Sequence, residues 1–296
     1  MHPRQPVVEI PPEAVRPLER ALKRQWQSYR AELQRCQEKL SEKSVHRSRV
    51  AARRLLATLE LVDAFLSPGL LKKARHGLKQ HLDIFDDLRD AQVISSAARP
   101  LRRSFPLARL FYHWLLVREA RFTRQAQACV RRLRPKALGK LVHECREELR
   151  SGVRKSACKS AGARLLRSVE RAFSRADQRR VRIDPRRAET IHRTRVAFKK
   201  FRYMVEALAT HVLPLRKEFL ESLRQYQARM GDIQDTQILL GAVDKFLRKR
   251  NITSEPGRKL RDRVLAKRQA LIESYFEIMD QMKRFWPPPE AARRST

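Results

Sequence analysis

Acidic residues are scarce in this 296-residue chain: 32 Asp and Glu stand against 67 Lys and Arg, leaving a formal net charge of +35. Self-repulsion on that scale makes a compact fold costly and calls for a polyanionic partner: nucleic acid, an anionic membrane surface or a phosphate polymer. Glycine is limited to 8 residues, and no Gly-rich phosphate-cradling loop is present. Aromatics make up only 7% of the chain, too few to point to a base-stacking platform. Cys36, Cys129, Cys145 and Cys158 are far apart and form no Cys-x-x-Cys pair, so free thiols in a reducing cytosol are expected. No run approaches the roughly 18 apolar residues of a membrane span, and Met1 to Pro12 has no apolar core of signal-peptide length. Neither export nor integral membrane association is expected, and no cofactor or metal site.

What is abundant points to helices. Hydrophobic residues form 42% of the chain, enough for a packed core, and the long stretches rich in Leu, Ala, Arg, Lys, Gln and Glu favour an all-α fold. The chain also repeats itself. His46-Arg47-Ser48-Arg49-Val50-Ala51-Ala52-Arg53-Arg54 returns as His192-Arg193-Thr194-Arg195-Val196-Ala197-Phe198-Lys199-Lys200, with five of nine positions identical. Further on, Asp87-Leu88-Arg89-Asp90-Ala91-Gln92 returns as Asp232-Ile233-Gln234-Asp235-Thr236-Gln237. The offsets are 146 and 145, far longer than a solenoid unit, so a whole helical bundle is duplicated.

Proline, glycine and cap residues divide each half into four helical segments. The first half is read as 12–40, 43–66, 69–99 and 105–133, with Ser67 and Ser104 as caps, and the second as 159–180, 185–212, 215–250 and 255–285. A short helix over 137–150 bridges them. The expected organisation is an N-terminal extension over 1–12, a first repeat over 13–134, a connecting segment over 135–158, a second repeat over 159–285 and a disordered tail over 286–296.

At about 100° per residue, Arg49 and Arg53 fall on the same arc as His46, whereas Ala51, Leu55, Leu59 and Val62 fall opposite. In the second copy His192, Arg195, Lys199 and Arg202 cluster, with Phe198, Phe201, Val205 and Leu208 opposite. Like charges three and four residues apart destabilise a helix, so two such stripes are hard to explain by stability alone. A neighbouring Arg disfavours protonation of His46 and His192, and a bound phosphate favours it.

These motifs resemble the CHAD domains, named for a conserved histidine in an α-helical domain. The resemblance rests on His46, Arg49, Val50, Arg53 and Arg54, then on His192, Arg195, Val196, Lys199, Lys200, Arg202, Tyr203 and Glu206, and on both Asp-x-Gln segments. It spans roughly Ala14 to Phe285 and implies two pseudo-symmetric four-helix bundles whose basic central surface or channel binds inorganic polyphosphate, often at cytoplasmic polyphosphate granules. Leu56 opposite Arg202, and Asp86 opposite Gly231, depart from equal halves. No Glu-x-Glu-x-Lys strand of a CYTH-type triphosphate-processing domain is found.

By motif and phase the expected polyphosphate site centres on His46, Arg49, Arg53, Arg54, His192, Arg195, Lys199, Lys200 and Arg202. Lys79 and Arg224 join it because the duplication retains charge at both positions. Further basic rows, Arg164 to Arg175 and Arg118 to Arg131, read as solvated helix faces. Nucleic-acid binding is the alternative from charge, but no zinc finger, RNA-recognition signature or clear helix-turn-helix is visible. An enzyme is the second alternative: Asp83, Asp86, Asp87 and Asp90 share one helix face and could hold Mg²⁺. Only Asp87 and Asp90 recur, so these acids are expected to pair with basic residues and the protein to be non-enzymatic. A third reading keeps polyphosphate binding as the attachment of a granule-coating protein that recruits partners through another face.

Overall fold

A computed structural model describes residues 17–155 and 161–289, so the expectations for 1–12, Cys158 and the end of the tail lie outside the described residues. Ten helices make up its regular structure: α1 (Pro17–Glu38), α2 (Glu42–Leu61), α3 (Pro68–Asp83), α4 (Asp86–Ala98), α5 (Pro106–Arg132), α6 (Lys136–Lys155), α7 (Ala161–Val181), α8 (Ala188–His211), α9 (Lys217–Lys249) and α10 (Glu255–Ile278). Short 3-10 turns extend several of them. No strand occurs among the described residues, as the composition predicts.

Local chemistry sets the boundaries. Ser41 and Ser44 form a reciprocal capping box before α2: the Ser44 N–H donates to Ser41 Oγ (3.1 Å) and the Ser41 N–H to Ser44 Oγ (2.9 Å). Proline occupies the first turn of α3, α5 and α10, where its missing N–H costs nothing. Ser67 precedes α3 but does not cap it; its N–H and hydroxyl both donate to Glu148 on α6 (2.7 and 2.9 Å). Phe105 rather than Ser104 stands at the α5 cap position. α9 ends in a Schellman motif, with Asn251 in the left-handed region (φ 51°) and the Ile252 N–H returning to the Leu247 carbonyl (3.0 Å).

The helix expected over 69–99 is two helices. Ile84 and Phe85 interrupt it because Phe85 turns inward, 2% exposed, into a small core with Cys36, Val45, Leu88, Ala126 and Val130. The matching stretch of the second repeat, α9, runs unbroken. Otherwise the repeats keep one helix order, with α1, α2, α3–α4 and α5 answering to α7, α8, α9 and α10. The bridging α6 is a full helix laid on α1 and α3, with no counterpart in the second repeat among the described residues.

The buried side chains do not partition by repeat. One core joins Leu55, Leu59 and Leu78 to Phe198, Phe201 and Tyr226. A second is built by α4 and α5 with the end of α9 and the start of α10, from Ile94, Phe111 and Leu115 to Leu239, Val243 and Val264. The apolar faces expected on the two basic helices are buried: Leu55, Leu59, Val62, Phe198, Phe201, Val205 and Leu208 are all 0% exposed. α2 therefore packs along α8, and α4 along α9. Packing also continues past the expected boundary at 285, where Trp286 meets Phe201 edge-on (6.0 Å) and Pro288 is buried.

Candidate polyanion-binding site

Because α2 and α8 lie side by side, the two cationic stripes meet at one seam. Arg53 stands there in the field of Arg49 and of Arg195 from the other repeat. Burial, then those two cations, lowers the affinity of its guanidinium for its proton, while Tyr203 and Asp86 oppose the shift. Guanidinium remains charged at neutral pH, so the seam keeps its repulsion until an anion arrives. Among the described residues no carboxylate lies within ion-pair distance of Arg53, Arg54, Lys79, Arg195 or Lys199. Two buried polar atoms here, Arg195 Nε and His192 Nδ1, have no hydrogen-bond partner.

Other expected site residues are already engaged. Arg49 Nη1 donates to the Leu82 carbonyl (2.9 Å), near the α3–α4 break, and to Asp86 Oδ1 (2.6 Å). Lys200 pairs with Glu60 (2.9 Å), and Arg224 with Glu206 (2.9 Å) and Glu221 (3.2 Å). Arg202 does not share the open arc with His192 and Lys199. It is 8% exposed, donates to Gln227 (2.7 Å) and Glu206 (2.6 Å), and lies over the Tyr203 ring (4.3 Å). Four residues along a helix amount to a turn of only about 40°, so Arg202 flanks Phe198 and is drawn under the packed surface.

Sequence reasoning passed over Glu60 and named Glu206 only as part of the family pattern, without the role of holding these cations. Glu60 and Glu206 are related by the same offset of 146 that relates the histidines, and that equivalence is the signal that could have found Glu60. Glu60, with its side chain 8% exposed, links Arg75 of α3 to Lys200 of α8; Glu206 links Arg202 to Arg224. Acids on α4 and α9 serve the same seam. Asp86 holds Arg49, and Asp90 and Asp235, one from each repeat, lie within each other's field. Burial raises both carboxyls above their ordinary range, opposed at Asp90 by Arg49 and at Asp235 by Arg195. Among the described residues no group of three or more His, Cys, Asp or Glu is arranged to hold a metal ion.

Of the outlying basic rows, Arg171 pairs with Asp63 (3.1 Å) and Arg118 lies over Trp114 (4.7 Å), so both are anchored to the fold. Cys36, Cys129 and Cys145 are free, as expected. No described helix is long and apolar enough to cross a membrane.

His46 keeps an exposed edge, yet the protein around its ring, followed by Arg89, lowers its pKa below 6.5; Arg49 and Arg53 add to this and Glu42 opposes it. Burial lowers His81 and His211 as well. Each of the three therefore binds fewer protons folded than unfolded just below pH 6.5. That contribution to stability is fully present above 6.5 and is lost as the pH falls toward the folded values. Asp90 and Asp235 act in the opposite sense, nearer the carboxylate range. The melting temperature of the free protein is expected to drop between about pH 7.5 and 5.5, as read by a thermal melt at constant ionic strength.

The family model of the CHAD domain matches residues 15–244. Among solved structures, the chain is similar to the CHAD domain from the plant Ricinus communis, with a TM-score of 0.65 and 18% identity over 98% of this chain and 96% of that one. It is also similar to PptA from Streptomyces chartreusis, with a TM-score of 0.64 and 14% identity over 93% of this chain and 100% of that one. No curated protein matches it. At such identities the structural likeness carries the fold.

Proposed function

Because the chain belongs to the CHAD domain family, we propose that the seam between α2 and α8 binds inorganic polyphosphate, by binding alone and without turnover. The observation that carries this reading is the juxtaposition of two cationic helices whose central members, Arg53, Arg195 and Lys199, have no counter-ion within reach among the described residues. Polyphosphate offers dense charge with no base, sugar or groove to read. Guanidinium groups bridge its oxygens bidentately, and lysines add point charge. Phe198, Phe201 and Tyr203 of α8 are buried, so this helix presents no aromatic platform on which nucleic-acid bases would stack. Asp86 of α4 serves as a counter-ion to Arg49, which supports a binding role over metal-assisted hydrolysis. In the cell this activity would place the protein at polyphosphate granules.

The test is competition between long-chain polyphosphate and mixed-sequence DNA or RNA at equal phosphate concentration, repeated across salt and chain length. Polyphosphate should win, binding should weaken steeply with salt as counterions are released, and long chains should bind more tightly than short ones through simultaneous contacts. Equal competition by nucleic acid, or a flat salt response without chain-length dependence, would overturn the proposal. Phosphate release on incubation with Mg²⁺ would overturn its non-catalytic part.

A further inference from the structure

The duplication supplies an internal comparison, since each arginine of the first repeat can be set beside its equivalent in the second. Arg49 and Arg195 are such a pair, yet the residue in direct contact with each differs. Asp86 faces Arg49 at 2.6 Å, whereas the equivalent residue beside Arg195 is Gly231. A Cβ placed on Gly231 would meet only Arg195, at 3.7 Å from Nε and 3.9 Å from Nη2. The space that a carboxylate fills in the first repeat is thus left clear in the second.

Nearby differences do not offset this. Arg89 is an extra cation where the second repeat has Gln234, but it is paired with Glu42 (3.1 Å), which the second repeat lacks because Ala188 stands there. Asp87 and Asp90 recur as Asp232 and Asp235 and cancel in the comparison. The first repeat is left with two additional acids, Asp83 and Asp86, where the second has Ala228 and Gly231, and Asp86 is the one that pairs with the central arginine. Asp86 also opens α4, where the helix dipole favours a negative charge, so it is held from two sides.

We propose that Asp86 is a built-in competitor for phosphate at Arg49, so that the two repeats bind a polyanion unequally and Arg195 is the primary anchor. This rests on the polyphosphate reading above. A chain engages Arg195 first, and its extension onto Arg49 must displace or repel a carboxylate already in place. Polymer length then decides how much of the seam is used.

Exchanging the charge between repeats tests this. Asp86→Asn removes the competitor at nearly constant shape and should tighten binding of long-chain polyphosphate about tenfold, the effect of one nearby charge at partial exposure. Gly231→Asp places the competitor beside Arg195 and should weaken binding by about the same factor. An α-helix accepts Asp more readily than Gly, and the new Cβ makes only ordinary contacts, so this variant should keep its circular dichroism and melting temperature. Arg195→Gln should cost more affinity than Arg49→Gln. Wild-type binding with Asp86→Asn and Gly231→Asp both unchanged, or with Arg49→Gln the costlier arginine variant, would overturn the inference alone. Absence of wild-type binding would overturn the polyphosphate reading and the inference together. If Asp86→Asn fails to fold, Gly231→Asp decides.

Discussion

Reversing Arg53 and Arg195 together to Glu is expected to reduce affinity for long-chain polyphosphate by roughly 10²- to 10⁴-fold, since each charge-assisted hydrogen bond lost removes about 1.5–3 kcal/mol. The fold should survive. Arg53 has no ion pair among the described residues, and its neighbours Arg49 and Arg195 make it a repelled cation rather than a structural one. A glutamate at 53 gains the attraction of Arg49, which offsets the repulsion between the two new glutamates and between position 195 and Asp235, while both reject phosphate, so affinity should fall with little change in stability. Titration with labelled polyphosphate beside a denaturant melt would measure both. Parallel loss of affinity and stability would mean that Arg53 is structural and the seam is not the site.

Glu206→Ala should produce the largest loss of stability of any charged-residue substitution considered, about 3 kcal/mol, because removing one partner of a buried pair leaves the other uncompensated. Arg202 would be that residue: its side chain is 9% exposed and would keep only Gln227 and the face of Tyr203. Arg202→Leu installs the residue that the first repeat carries as Leu56 and leaves Glu206 with Arg224. Its loss should be smaller, and polyphosphate affinity should be retained because Arg202 is under the packed surface. Urea denaturation of both variants would rank the losses; a larger one for Arg202→Leu would place the weight on the arginine instead.

This contrast marks what could be read from the sequence. Helical periodicity located the apolar faces of α2 and α8 because burial follows the 3.6-residue repeat directly. It placed Arg202 wrongly because a residue beside the apolar face is buried or exposed according to its neighbour, here Gln227 on α9. The split of α3 from α4 was hidden for a similar reason: Phe85 and Leu82 look helical, and only Phe85 turning into its small core and Arg49 reaching the Leu82 carbonyl reveal the break. Duplication pointed to both basic helices, yet not to their meeting at one seam, since an apolar face does not name its partner. The same offset of 146 would have identified Glu60 as the counterpart of Glu206 had acidic positions been compared as closely as basic ones.

The core that α4 and α5 share with α9 and α10 also sets an order for biosynthesis. Ile94, Phe111 and Leu115 leave the ribosome long before Val264, one of the side chains that completes their cluster. A nascent first repeat therefore carries an uncovered apolar face until the last long helix has been made, and a transcript truncated ahead of α10 would yield a product prone to aggregate.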